Sequence, residues 1–246
     1  MRLLTIVTCA ALMMVGSVSA SSELDYKKIR LIDHDTRGAG TWLFRTNLPI
    51  INGTFAYDTL LSYLHQRAAE SNVSFPDVAK GEKVKLTDIS FLNIKEYADL
   101  RVEDAFFKAN PELGQFYNWP IVGSLISPNW LSEGERIKEV AALNNSIDNL
   151  PYKIPQLYSW IHPSEAPTTP QVVIFHCEAG SDRTGQIAGS YAMAYQKDGR
   201  NTTLAEVYAW DNEIAGRPIE VNNLYGMMFF CWWLTQIHGY SDLGCD

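Results

Sequence analysis

Apolar positions recur along the chain with two spacings, and the change from one to the other marks its elements. Leu60, Leu61, Leu64 and Ala68 fall on one face at helical spacing and Asp58 suits a first turn, which predicts an amphipathic helix over residues 57–70. Residues 41–44, behind Gly38-Ala39-Gly40, predict a strand, and residues 89–100 predict one or two more. The unbroken run Val172-Val173-Ile174-Phe175 predicts a buried strand, followed by a helix-compatible stretch over 186–196 with Ile187, Tyr191 and Ala194 on one face. Gly199-Arg200 ends that helix, Thr202 or Thr203 caps the next, and residues 222–238 predict a buried terminal helix rich in Met and aromatics. Shorter helical stretches are predicted at 104–110, 131–143 and 156–161. Residues 72–85, 144–155 and 163–170 carry Pro, Gly, Asn and charges and read as loops. Residues 26–37, with Asp33-His34-Asp35 at their centre, read as a solvated turn rather than a metal site. Strands alternating with helices predict an α/β fold, a three-layer sandwich with a mainly parallel sheet of four or five strands flanked by helices.

The first twenty residues follow a different rule. Arg2, an apolar run from Leu3 to Val15 and the small residues Val18-Ser19-Ala20 predict a cleavable signal peptide over 1–20, hence a secreted protein beginning at Ser21. The remainder, 21–246, reads as a single domain, and no other segment is long enough to span a bilayer. With 46% hydrophobic residues and a net charge of −8, the chain has a core to build and no global basic field for nucleic acid or anionic lipid. Sequons at Asn52, Asn72, Asn144 and Asn201 fit a secreted glycoprotein. Setting Cys9 aside leaves Cys177, Cys231 and Cys245; a Cys231–Cys245 disulfide with Cys177 free is expected, three free thiols being the alternative.

The candidate chemistry lies in ten residues, His176-Cys177-Glu178-Ala179-Gly180-Ser181-Asp182-Arg183-Thr184-Gly185, between the buried strand and its helix. A helix N-terminus and a nearby Arg favour an anion, so Cys177 is expected to act as a thiolate nucleophile. Arg183 offers a planar fork for two oxygens of a phosphate, and Gly180 relieves a tight turn. Backbone amides of Glu178, Ala179, Gly180, Ser181, Asp182 and Arg183 can form the rest of an anion nest. Thr184 is close enough to donate a hydrogen bond to the sulfur, and His176 is expected to orient the loop.

His-Cys-x-x-Gly-x-x-Arg-Thr-Gly resembles the signature loop of the cysteine-based protein tyrosine phosphatase superfamily, and the Asp before the Arg narrows the resemblance to its secreted tyrosine and lipid phosphatase branch. The resemblance implies a phosphotyrosine phosphatase-like fold and phosphomonoester hydrolysis through a phosphocysteine, with phosphate or vanadate as loop ligands and no metal or other cofactor. Catalytic residues would be Cys177, Arg183 and Asp182. Arg45-Thr46 is similar to a segment near the start of related domains, and Arg45 is expected to be a buttress or a second anion contact, a plain surface Arg being the alternative; Asp99-Leu100-Arg101 is similar to a strand end beside the signature strand. Tyr117-Asn118-Trp119-Pro120-Ile121 is similar to the loop whose Trp-Pro-Asp supplies the general acid, but Ile121 stands where the acid belongs. Asp182 is the expected substitute, with Glu133, Glu135 and Asp148 behind it; Arg217 is expected to pair with Asp211 or Glu213. Phosphotyrosine or another small phosphomonoester is the expected substrate. A phosphoinositide or inositol-phosphate (phytase-like) phosphatase and a low-turnover phosphate-binding pseudophosphatase are the alternatives.

Overall fold

The strand at residues 41–47 is buried along its whole length, and a strand with no exposed residue belongs inside a sheet covered on both faces. The computed structural model of the protein describes residues 23–195 and 202–245. In chain order it runs β1 (Arg30–Asp35), β2 (Thr41–Asn47), a small antiparallel pair β3 (Ile50–Ile51) and β4 (Thr54–Phe55), α1 (Tyr57–Glu70), β5 (Lys85–Ser90), α2 (Tyr97–Ala109) and β6 (Gly114–Asn118). Then follow α3 (Glu133–Ala141), α4 (Leu150–Ile161), β7 (Gln171–Cys177), α5 (Asp182–Tyr195), α6 (Leu204–Ala215) and α7 (Val221–His238). The five-stranded sheet has the order β1-β2-β7-β5-β6, with β1 antiparallel to β2 and the other pairs parallel.

The pleat of β7 distributes the core. Val172 and Ile174 join Leu60 and Leu64 of α1 and Phe107 of α2. Val173, Phe175 and Cys177 point the other way, into a cluster with Ile154 of α4, Ile187 of α5 and Phe230 of α7. The fold is therefore α/β, a mostly parallel sheet with helices on both faces. Cys177 ends the central strand, level with Asn47 of β2, at the carboxyl edge where parallel sheets open a crevice.

Several expectations need correcting. Residues 89–100 are mainly not strand: β5 ends at Ser90, and an Asn93/Glu96 capping box starts a helical turn that leads into α2. The predicted break over 144–155 contains the first half of α4, which runs on into the helical stretch predicted at 156–161, because Leu150, Ile154, Leu157 and Ile161 bury one helical stripe. Pro151 sits in its first turn, where no N–H is needed, and Pro155 is tolerated inside. The Asp33-His34-Asp35 turn is strand β1, and Asp33 accepts hydrogen bonds from Tyr191 Oη (2.6 Å) while lying 2.8 Å from His162 Nε2.

Cys231 and Cys245 form a disulfide with 5.6 Å between their Cα atoms, and Cys177 is free. The bridge pins the C-terminal tail to α7, where Leu243 is buried and its carbonyl accepts from Leu204 N (2.8 Å). The expected signal peptide, Ser21, Cys9, the Gly199-Arg200 helix end and the Asn201 sequon lie outside the described residues. Asn52, Asn72 and Asn144 are exposed. Among the described residues no helix is long and apolar enough to cross a membrane.

Candidate active site

Four successive carbonyls, those of residues 177–180, are each claimed by a donor. Leu48 N donates to Glu178 O (3.2 Å), Ser181 Oγ to Ala179 O (3.3 Å) and Arg45 Nη2 to Gly180 O (3.0 Å), and His176 Nδ1 lies 3.4 Å from Cys177 O. No peptide bond is cis, so each carbonyl opposes the N–H of the following residue. Fixing the carbonyls toward their partners therefore leaves the amides of Glu178, Ala179, Gly180 and Ser181 turned the other way. Gly180 makes this path possible: its φ is +63°, and a Cβ there would come within 2.8 Å of the Asn47 backbone. Asp182 then begins α5, whose N-terminus adds its own positive end.

Cys177 is tied at both ends. Its N–H donates to Thr184 Oγ1 (2.8 Å), and that hydroxyl donates to Cys177 Sγ (3.2 Å), as its position in the sequence suggested. The cysteine is 2% exposed.

Arg183 is aimed by groups that the sequence did not single out. Its Nη1 donates to Phe91 O (3.1 Å) and Glu96 Oε2 (2.7 Å), and its Nη2 to Glu96 Oε1 (2.5 Å). Of its five N–H groups, one on Nη2 and that of Nε remain, side by side, for a ligand's oxygens. Burial lowers a guanidinium's pKa, but Glu96 and then the Cys177 sulfur outweigh this and hold Arg183 above its ordinary value. Burial raises the Glu96 carboxyl, yet Arg183 and the Asn93 amide bring it below the usual range. The pair is thus fully ionised at neutral pH.

Beyond the loop lies a cavity of about 450 Å³, walled by Glu96, Ile121, Val122, Glu178, Asp182 and Arg183 among others. Asp182 does not present a loose carboxyl to it. Its Oδ1 accepts from Arg217 Nη1 (2.8 Å) and Glu220 N (2.7 Å), and its Oδ2 from Arg217 Nη2 (2.6 Å). Burial alone would raise its pKa, but Arg217 and the Glu220 amide hold it below the ordinary carboxylate value. Arg217 therefore pairs with Asp182 and not with Asp211 or Glu213. Asp211 is taken by the fully buried Arg45, which settles that arginine as a buttress of the loop rather than an anion contact. Glu178 is the opposite case to Asp182, with burial and then Glu96 pushing its pKa up.

The segment around Ile121 is immobilised. Val122 N and Gly123 N donate to the two oxygens of Asp148 (2.8 and 2.9 Å), and Gln186 Nε2 donates to the same carboxylate (2.7 Å). Lys153 Nζ donates to Pro120 O (3.1 Å), Asn222 Nδ2 to Val122 O (3.0 Å) and Ser124 N to Asn222 O (2.8 Å). Asp148 is consequently a structural acceptor, and Glu135 serves the Ser132 capping box of α3. Neither lines the cavity. Arg101 and Glu133 gain no place in the site.

Behind Cys177 the structure brings together three residues that the sequence keeps far apart. His176 Nε2 lies 3.0 Å from both Asp88 Oδ1 and Glu103 Oε1, all three side chains having no solvent exposure. The sequence pointed to His176 alone; Asn93-x-x-Glu96, a helix-start pattern, was the one readable sign of the Arg183 partner. No protein-family model matches the chain, and no curated protein matches it significantly.

Proposed function

We propose that the protein is a secreted phosphomonoester hydrolase of the cysteine-based tyrosine phosphatase kind, in fold as in chemistry. The observation that carries this is the combination at one strand end of a hydroxyl-bonded sulfur, the amides of Ala179, Gly180 and Ser181 turned opposite to their partnered carbonyls, and an Arg with two adjacent N–H groups unspent. These donors suit three equatorial phosphoryl oxygens, where charge is spread in the transition state. Cys177 sulfur would attack phosphorus in line, forming the S–P bond as the bond to the leaving oxygen breaks. Water would then cleave the phosphocysteine, with Thr184 donating to the departing sulfur. No step requires a metal.

The leaving oxygen needs a proton unless it belongs to a good leaving group. Asp182 would have to part from Arg217 to give one. Glu178, whose carboxyl is raised, is the better-prepared donor in the cavity wall.

The wall charge argues for the substrate class. Arg183 is paired with Glu96 and Arg217 with Asp182, and Lys95 is the only other cation among the wall residues. A polyanion finds no surplus of cations here, whereas one phosphoryl group on a neutral or basic peptide is matched. This favours phosphotyrosine or a small monophosphoester over inositol phosphates and phosphoinositides.

Nitrophenyl phosphate tests the reaction because its leaving group barely needs an acid. Vanadate-sensitive release that Cys177→Ser abolishes is expected; phosphate binding without release would instead support the pseudophosphatase reading, which the tied Asp182 and the apolar Ile121 favour. Phosphotyrosine peptides, a phosphoinositide and inositol hexakisphosphate at matched ionic strength then rank the substrates. Preference for the hexakisphosphate would overturn the assignment. With alkyl monophosphates, Glu178→Gln is expected to lose more than Asp182→Asn.

A further inference from the structure

The Asp88, Glu103 and His176 cluster sits one residue from the nucleophile and takes no part in the chemistry above. Its geometry fixes how many protons it holds. His176 Nε2 faces two carboxylate oxygens at 3.0 Å, and its Nδ1 faces the Cys177 carbonyl at 3.4 Å. Both ring nitrogens thus look at acceptors, which calls for an N–H on each and makes the ring an imidazolium. Burial on its own lowers an imidazole's pKa, but Glu103 and Asp88 outweigh it and hold His176 well above its ordinary value.

One cation does not balance two carboxylates at a site with no solvent exposure. Asp88 Oδ2 and both oxygens of Glu103 are buried and accept no well-aligned hydrogen bond, so His176 Nε2 is bonded to Asp88 and only close to Glu103. A proton on Glu103 removes the surplus charge, and Glu103 is the carboxylate with neither oxygen satisfied by a donor. The titratable groups facing Glu103 on α2 are His176 on β7 and Asp88 on β5, while Glu96 reaches the cluster through His176. Burial and Asp88 push the Glu103 carboxyl up to about 7, against His176.

We propose that Glu103 is a positioning residue that carries a proton in the active protein, and that losing this proton to solvent turns the base of the anion loop net negative and weakens its hold on a phosphoryl group. Asp88 and Glu103 then act as a pH-dependent counterweight to His176, lowering anion affinity on the alkaline side. The same linkage makes folding stability fall as pH rises from about 4.5 through about 7, since the folded chain keeps a proton that the unfolded chain has released.

The inference rests on the phosphate-loop reading but is tested without turnover. Sulfate is a dianion throughout the range from pH 5.5 to 9, so any change in its binding belongs to the protein. Sulfate affinity of the wild-type protein at constant ionic strength is expected to fall roughly ten-fold over that range, beyond any drift in Glu103→Gln, whose neutral amide stands in for the protonated acid. A flat wild-type profile, or the same fall in Glu103→Gln, would overturn the proposal. Should that variant fail to fold, ¹⁵N spectra of histidine-labelled wild-type protein decide: the His176 ring is expected to stay doubly protonated from pH 6 to 9, and a ring that becomes neutral refutes the scheme. So does one equivalent of zinc retained after dialysis against chelator, because the cluster would then be a metal centre. If sulfate binds with the expected profile and nitrophenyl phosphate is not hydrolysed, the hydrolase reading fails and this one stands.

Discussion

Two loops meet at the cavity, and their backbones are fastened by different groups. The 177–180 loop is held through its carbonyls, by Leu48, Ser181 and Arg45 with His176 alongside. The 120–124 loop is held through both kinds of group: the N–H groups of Val122, Gly123 and Ser124 and the carbonyls of Pro120 and Val122 are all engaged. The first therefore turns the N–H groups of Ala179, Gly180 and Ser181 away from its partnered carbonyls, and the second spends those of Val122, Gly123 and Ser124 inside the protein. On the function proposed above, one loop binds an anion. The other is built to be a wall, and Ile121, fully buried, is the side chain a wall requires.

The sharpest way to break the first loop is to remove a donor without removing charge. Arg183→Lys keeps a cation but cannot both hold Glu96 at two oxygens and offer a parallel pair of N–H groups to the ligand. A loss of roughly 10²–10³ in kcat/KM for nitrophenyl phosphate is expected. Retention of most activity would mean that charge alone, and not the fork, serves the site.

The second loop breaks differently. Asp148→Ala strips the acceptor from two backbone amides and from the buried Gln186 amide at once. Leaving such groups buried and unmet costs on the order of 2–4 kcal/mol in unfolding free energy. Urea denaturation would measure it, and hydrogen exchange should accelerate at Val122 and Gly123 while the exchange rates of the 178–181 amides stay unchanged. Equal acceleration in both loops would show them to be one unit.

This division also explains what could be read beforehand. The signature loop was legible because its chemistry is contiguous, from His176 to Gly185, and because a strand-to-helix junction positions it locally. Helix α1 and the Cys231–Cys245 bridge were legible for similar reasons, an unbroken periodicity and a count of three thiols. What fastens the site was not legible. Glu96 reaches Arg183 across 87 residues, Arg217 reaches Asp182 across 35, and Asp88 reaches His176 across 88. Such pairs leave no local pattern, since a carboxylate destined for burial looks in sequence like one destined for water. The likeness of residues 117–121 to a loop that carries an acid, with Ile121 in the acid's place, likewise says nothing of what fastens it, since Asp148, Lys153 and Asn222 lie elsewhere in the chain.

The smallest expected effect is the most specific test of the contrast. If the 120–124 loop were a lid merely missing its acid, Ile121→Asp would restore proton donation and raise the rate with alkyl phosphates by roughly a hundred-fold or more. As a wall it does not move its side chain toward the leaving oxygen, because Gly123, at a φ of +74°, already lies so close to Asn222 that a Cβ would come within 2.4 Å of its carbonyl oxygen. The new carboxylate would instead be buried against apolar neighbours and held protonated, at a cost to stability. Rates with alkyl phosphates and with nitrophenyl phosphate are therefore expected to stay within about three-fold of the parent for the folded fraction, far below the gain a positioned acid provides. A selective gain with the alkyl esters would show that the loop still swings over the phosphate, and that the clamp made by Asp148 and Asn222 opens during turnover.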